Sequence, residues 1–174
     1  MRNIAPKIFW ELGGERESRK IAKAIVKQRS QKRIESTVQL ASTVESVKPR
    51  RGRRSHPATK VFQALRMEVN GELHEIRRGL PVAAGLLKPT GRLAVITFHS
   101  GEDRMVKAFG REETRDYDIQ GEVDVPELRI ARPQRMRWVQ RKAIKPSASE
   151  VEKNPASRSA QLRVLERVGT KEAG

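Results

Sequence analysis

Cysteine is absent from this chain, so it has neither a disulfide framework nor a thiolate metal site. Three histidines, His56, His74 and His99, are too few and too scattered to suggest a zinc cluster, and a metal-free chain is expected. No apolar run approaches the roughly 18 residues needed to span a bilayer. The opening residues, Met1 to Pro6, lack the hydrophobic region of a secretory signal. Both absences argue against a membrane protein and for a cytoplasmic one. Aromatic side chains make up only 4% of the 174 residues and hydrophobic ones 36%. That is lean material for a core, and it predicts a partly exposed or partner-dependent fold. Acidic residues are also in deficit, 21 against 37 Lys and Arg, for a formal net charge of +16. An excess of this size argues for a polyanionic partner, nucleic acid first and an acidic membrane surface second, because each cation that neutralises a phosphate releases a counterion.

What is present is best read around Gly91 to Arg104. A turn glycine leads into the apolar run Leu93-Ala94-Val95-Ile96-Thr97-Phe98, which ends in His99-Ser100-Gly101-Glu102-Asp103-Arg104. A short apolar run between turn signals predicts a strand buried on both faces, of the parallel kind. Parallel strands place their ligand chemistry just past the carboxyl end, where a helix begins. Ser100 and Asp103, three apart, have the spacing of a capping box. His99 and Ser100 either face a ligand or merely satisfy backbone groups at the turn; the spacing alone leaves both readings open.

Before that segment the pattern is helical. Ile21, Ala22, Ile25 and Val26 recur at helical spacing from about Glu15 to Arg29, with Arg16, Arg19, Lys20, Lys23, Lys27 and Arg29 on the outer side. So one-sided a charge run is expected to touch phosphate. Ser36-Thr37 caps a second helix carrying Val38, Leu40, Ala41, Val44 and Val47. Arg50, Arg51, Arg53 and Arg54 then form a basic loop without apolar content, of the kind that orders on RNA or DNA. From Pro57 the stripe Phe62, Leu65, Val69, Leu73, Ile76 and Leu80 predicts one long amphipathic helix whose stripe is core, kinked or restarted at Pro81. Gln63, Arg66, Asn70 and His74 lie around another side of it.

After the strand a helix is expected from about Glu102 to Arg111, with Met105, Val106 and Phe109 inward. Thr114 to Leu128 is acidic and aperiodic and reads as loop. Ile130 to Ile144 reads as an edge strand or hairpin arm, with Trp138 either packing or stacking on a base. Ser149 to Glu152 reads as a helical turn, and Arg158 to Val168 as a final strand, with helix the alternative.

Four blocks resemble one family, the S-adenosylmethionine-dependent methyltransferases that modify cytosine N4 in small-subunit ribosomal RNA (the MraW-like family). The blocks are Gly14-Glu15 through Val26, His56-Pro57-Ala58-Thr59 through Leu73, Gly91 through Arg104, and Lys145-Pro146-Ser147 through Arg163. The resemblance covers nearly the whole chain. It implies an α/β fold: a helical RNA-recognition insertion at 1–72, the C-terminal half of a Rossmann-like class I methyltransferase sheet at 73–170, incomplete, and a tail at 171–174. Phe98-His99-Ser100-Gly101-Glu102-Asp103-Arg104 stands where the family has phenylalanine-histidine-serine-leucine-glutamate-aspartate-arginine. Gly101 therefore replaces an apolar residue, at roughly 1 kcal/mol against a good helix former. Lys60 stands where arginine is usual and lacks its bidentate reach.

By the resemblance the cofactor is S-adenosylmethionine, and its site is expected to lie outside these residues. The family's glycine-rich loop, ribose-holding acid and catalytic loop belong to its N-terminal part, and no Gly-x-Gly and no Asp/Asn-Pro-Pro-aromatic motif occurs here. No catalytic, cofactor-binding or metal-binding residue is therefore assigned. The residues expected at the RNA are Arg50, Arg51, Arg53, Arg54, His56, Lys60, Arg66, Asn70, His99, Ser100, Asp103 and Arg104. The expected function is N4-methylation of a small-subunit rRNA cytosine, this chain supplying the substrate side and inactive alone. The alternative is a non-catalytic RNA-binding or ribosome-assembly protein derived from the family. Expected partners are ribosomal RNA or the small subunit, and either the missing N-terminal half in trans or a second copy, since the edge of the strand at Leu93 to Phe98 would be bare.

Overall fold

The computed structural model describes residues 4–52 and 55–169. Arg53 and Arg54 lie outside the described residues. The chain forms two compact units, Met1–Glu72 and Leu73–Gly174. Among the described residues no helix is long and apolar enough to cross a membrane.

The first unit is helical: α1 (Ala5–Glu11), α2 (Ser18–Gln31), α3 (Thr37–Val47) and α4 (Thr59–Val69). α1 packs on α2 and α4, and α3 on α2. Phe9, Ile21, Ala22, Val44, Ala58, Val61 and Ala64 form the core between them. Ser36 caps α3, its hydroxyl accepting the Gln39 amide at 3.2 Å. Gly13 lets α1 and α4 approach, because a Cβ there would lie 2.4 Å from the Lys60 carbonyl oxygen. The stripe expected along α4 is shifted by one position. Val61, Ala64 and Met67 are the buried members, Phe62 and Leu65 are only partly covered, and Val69 is 83% exposed.

The single long helix expected from Pro57 is in fact two. α4 ends at Val69 with Asn70 as its cap, and Gly71 takes φ +62 before α5 (Glu72–Gly85) begins. A left-handed residue is the usual way to stop a helix, and glycine adopts it without a Cβ clash. Pro81 lies inside α5, which continues to Gly85. The break comes from the glycine, not from the proline.

The second unit continues with β1 (Arg92–Thr97), α6 (Ser100–Glu113), β2 (Tyr117–Ile119), β3 (Arg129–Ala131), β4 (Met136–Trp138), α7 (Ala148–Lys153) and β5 (Gln161–Arg167). The fold is mixed α/β. β1, β5 and β4 form a sheet in that order, and β5 is antiparallel to both neighbours. β1 and β4 therefore run the same way, β1 at the sheet's edge. The expectation that β1 is buried on both faces and parallel-paired is overturned. It pairs antiparallel with β5, Leu93 opposite Leu165 and Val95 opposite Arg163, and its burial alternates. α6 packs on the sheet, and the odd-numbered side chains, ending in Thr97 (2% exposed), are the covered ones. On the other face Ile96 is 60% exposed, and Phe98, just beyond the strand, is 54% exposed. That same face carries Glu166 between Arg92 and Arg137, with each guanidinium Nε 2.9 Å from a carboxylate oxygen. The hydrogen bonds from Arg92 and then Arg137 hold the Glu166 pKa below its ordinary value.

Thr114 to Leu128 is not simply loop. β2 pairs antiparallel with β3, and Arg129 lies 4.3 Å over the Tyr117 ring. A 3₁₀ turn at Pro126–Leu128 leads into β3. The final strand and the short helix α7, capped by Ser147, follow the sequence reading.

Candidate functional site

At the carboxyl end of β1 the chain remains extended through His99 (φ −143, ψ 163) before α6 starts. His99 is thus the cap residue, and the capping box is His99 with Glu102 rather than Ser100 with Asp103. The His99 Nδ1 accepts the Glu102 amide at 3.3 Å. The Glu102 Oε2 accepts the Phe98 and His99 amides at 2.7 and 3.3 Å. The box sits one residue earlier than the sequence suggested because a cap needs non-helical backbone, and Ser100 is already helical. With Nδ1 accepting, the imidazole carries its proton on Nε2 in the neutral form. Nε2 lies 3.0 Å from Glu102 Oε1 without hydrogen-bond geometry, and has no hydrogen-bond partner among the described residues. Ser100 and Arg104 are exposed on α6.

Asp103, released from capping, turns inward. Arg163 of β5 clasps it, Nε 2.6 Å from Oδ1 and Nη2 3.3 Å from Oδ2, and the Lys107 ammonium stands 3.2 Å from Oδ2. The third guanidinium direction, Nη1, donates to the Arg141 carbonyl at 3.1 Å. Burial works to raise the Asp103 pKa. The hydrogen bonds and charges of Arg163 and Lys107 outweigh it and hold the carboxyl below its ordinary 3.8. A two-point Arg–carboxylate clasp of this kind fixes both groups in orientation. It anchors α6 to β5 and so fixes the direction in which His99 and Ser100 leave the sheet.

In the first unit Arg16, Arg19, Lys20, Lys23, Lys27 and Arg29 are all exposed along and just before α2. Arg50 and Arg51 are exposed in the loop after α3, Arg51 at φ +38. In the turn before α4 the His56 Nδ1 accepts the Ala58 amide at 3.1 Å, while Nε2 lies 3.0 Å from Glu45. Lys60 donates to the Gly14 carbonyl at 2.9 Å. Arg66 makes a two-point bond to Glu72, at 2.8 and 3.2 Å, and Asn70 reaches the same carboxylate at 3.4 Å. Beneath this surface Glu15 is buried against Lys48. Desolvation would raise its pKa, but the Lys48 hydrogen bond, the Glu17 amide and the charges of Lys48 and Lys60 together lower it.

Compared with known proteins, residues 3–168 match the MraW methylase family. The chain belongs to that family. Among its relatives, the ribosomal RNA small subunit methyltransferase H of Caldicellulosiruptor bescii is 44% identical over 162 residues, 93% of this chain and 52% of the relative. The protein of the same name from Hyphomonas neptunium is 46% identical over 164 residues, 90% of this chain and 46% of the relative. That from Thermomicrobium roseum is 44% identical over 167 residues, 92% and 49% respectively. The chain spans about half the length of these curated relatives.

Within this MraW-family chain the sequence reading missed Arg163 and Lys107, the two cations that hold Asp103, and the role of Gly110. A Cβ on Gly110 would lie 2.0 Å from the Trp138 Cζ2, so the indole rests directly on the α6 backbone. One edge of the Trp138 ring therefore packs on α6, while the residue as a whole is half-buried. An isolated glycine inside a helical pattern was the signal available for that contact.

Proposed function

We propose that these residues supply the RNA-holding side of an S-adenosylmethionine-dependent methyltransferase that acts on N4 of a cytosine in small-subunit ribosomal RNA. The observation that carries this reading is the family match over residues 3–168, to relatives named as ribosomal RNA small subunit methyltransferases. It is supported by the sheet, where β1 and β4 run the same way and end on the side where α6 starts. In open α/β sheets ligands lie outside the carboxyl ends of the strands. We read residues 73–170 as the later part of a Rossmann-like sheet and 1–72 as its helical RNA-recognition region.

The residues described here do not fit the cofactor itself. The β1–α6 turn is closed by the His99–Glu102 box, and no Gly-x-Gly turn in the sequence offers a backbone cradle for a nucleotide. The part assigned to this chain is accordingly binding and positioning. An exocyclic amine is a poor nucleophile, and its methylation depends on holding it in line and dry. The cations of α2, with Arg50, Arg51, Arg53, Arg54 and Lys60, grip the backbone. Ser100 through its exposed hydroxyl meets the target base or its ribose, and His99, whose Nε2 is buried, sets the turn that presents it. Arg104 extends that contact set, and Asp103 acts through Arg163 by fixing α6; on the first unit His56, Arg66 and Asn70 contact the RNA separately.

Two titrations test the reading. The chain should bind a small-subunit rRNA fragment more tightly than an unrelated RNA of equal length, with affinity falling steeply with salt. It should show no heat of binding with S-adenosylmethionine. Equal affinity for both RNAs contradicts the substrate assignment; cofactor binding contradicts the division of roles. A second reading, a non-catalytic RNA-binding or ribosome-assembly protein, is favoured by the lack of a glycine-rich cradle. It predicts that no methyl reaches RNA even when the N-terminal half of a relative is added.

A further inference from the structure

We infer a separate phosphodiester-binding pocket on the second unit, bounded by α6, β4 and the start of the chain that follows β4. It rests on the RNA-binding reading above and, Arg163 apart, assigns residues that the reading does not use. The pocket has a volume of about 300 Å³ and is lined by Lys107, Arg111, Thr114, Trp138, Arg141 and Arg163. Four of those six residues are cations.

Their surroundings make them suited to an anion. Among the described residues Asp103 is the one carboxylate bonded to this group, and it serves Arg163 and Lys107. Arg111 and Arg141 are exposed and have no carboxylate partner among the described residues. Four positive charges around one cavity, offset by one negative charge, repel one another, and an anion entering the cavity relieves that repulsion. The cavity is also preorganised. Arg163 is 9% exposed and is fixed in place by Asp103 and by the Arg141 carbonyl. The Trp138 ring is pinned against Gly110, where no side chain can intervene. The arrangement thus combines a rigid guanidinium, three cations of which two are uncommitted, the Thr114 hydroxyl and a flat apolar wall.

A phosphodiester with its sugar fits that set of groups. The phosphate takes charge-assisted hydrogen bonds from Arg111 and Arg141, since arginine's planar fork matches phosphate oxygens. The neighbouring sugar or base lies against Trp138. RNA is the occupant favoured by the chain's overall charge of +16 and by its rRNA-methyltransferase relatives.

The test uses the full chain carrying Trp10→Phe, which leaves Trp138 as the only tryptophan of the two. Titration with a single-stranded fragment of small-subunit rRNA should quench Trp138 fluorescence. Adding Arg111→Gln and Arg141→Gln should weaken binding about tenfold and lower the slope of log affinity against log salt by about 0.7, as for one phosphate on a single strand. Lys153→Gln with Arg158→Gln removes two exposed charges elsewhere on the same unit and should leave most of the affinity intact. Parent-like affinity and slope in the Arg111/Arg141 variant, or an equal loss in both pairs, overturns the pocket. A parent that quenches with any single-stranded RNA but does not prefer rRNA overturns the proposed function and leaves the pocket standing.

Discussion

Asp103 shows how far a local pattern reaches. In the sequence it stands three residues after Ser100 and reads as a helix cap. In the fold it belongs to Arg163, 60 residues further along the chain. No periodicity links the two, because the bond depends on β5 lying beside β1 in one particular register. Removing one partner of a buried pair leaves the other charge uncompensated, so Arg163→Met should cost about 3 kcal/mol by chemical denaturation. The pH dependence has a definite sign. The folded pKa of Asp103 is below its ordinary 3.8, so the pair's stabilisation is complete above that value and shrinks as pH falls through the folded pKa. Urea midpoints measured from pH 6 down to pH 3 should fall, and the fall should be smaller in Asp103→Asn. Gly110→Ala should destabilise by about 2 kcal/mol, because the added Cβ meets the Trp138 ring. A matching loss of the Trp138 near-ultraviolet signal would locate the effect.

Elements were legible where their signals were local and failed where a neighbour decided. The cap at Ser36, the helix carrying Ile21 and Ala22, and the final strand were all readable from spacing. The division of α4 from α5 was not. An apolar stripe runs through Asn70-Gly71 as if the helix were continuous, and the proline was the louder breaker. The structure assigns the break to Gly71 at φ +62, so Gly71→Ala should cost about 1 kcal/mol in the thermal melt, while an Asn there costs less. The hairpin of β2 and β3 was illegible for another reason. Its strands are three residues each, and Arg115 and Arg129 over the Tyr117 ring support them in place of an apolar pattern. At the β1–α6 junction the strand-to-helix turn was readable, while the identity of the capping pair was not. His99→Ala should remove about 1 kcal/mol of α6 stability by deleting the cap.

For the molecule as a whole, the low aromatic and apolar content seen in the sequence has a visible counterpart. Ile96, Phe98, Val82 and Leu86 are exposed, and β1 is at the edge of its sheet. An apolar strand at an edge offers unpaired backbone groups to another chain. Light scattering after size exclusion should therefore find the chain self-associated or dependent on a second polypeptide, and a stable monomer at micromolar concentration would contradict this. The basic excess serves the other half of the account, in which this chain holds RNA and does not itself hold the cofactor. Nucleoside mass spectrometry of small-subunit RNA tests that division most directly, after incubation with S-adenosylmethionine and the chain, with and without the N-terminal half of a relative. The account predicts N4-methylcytidine only when both polypeptides are present. Methylation by this chain alone would contradict it.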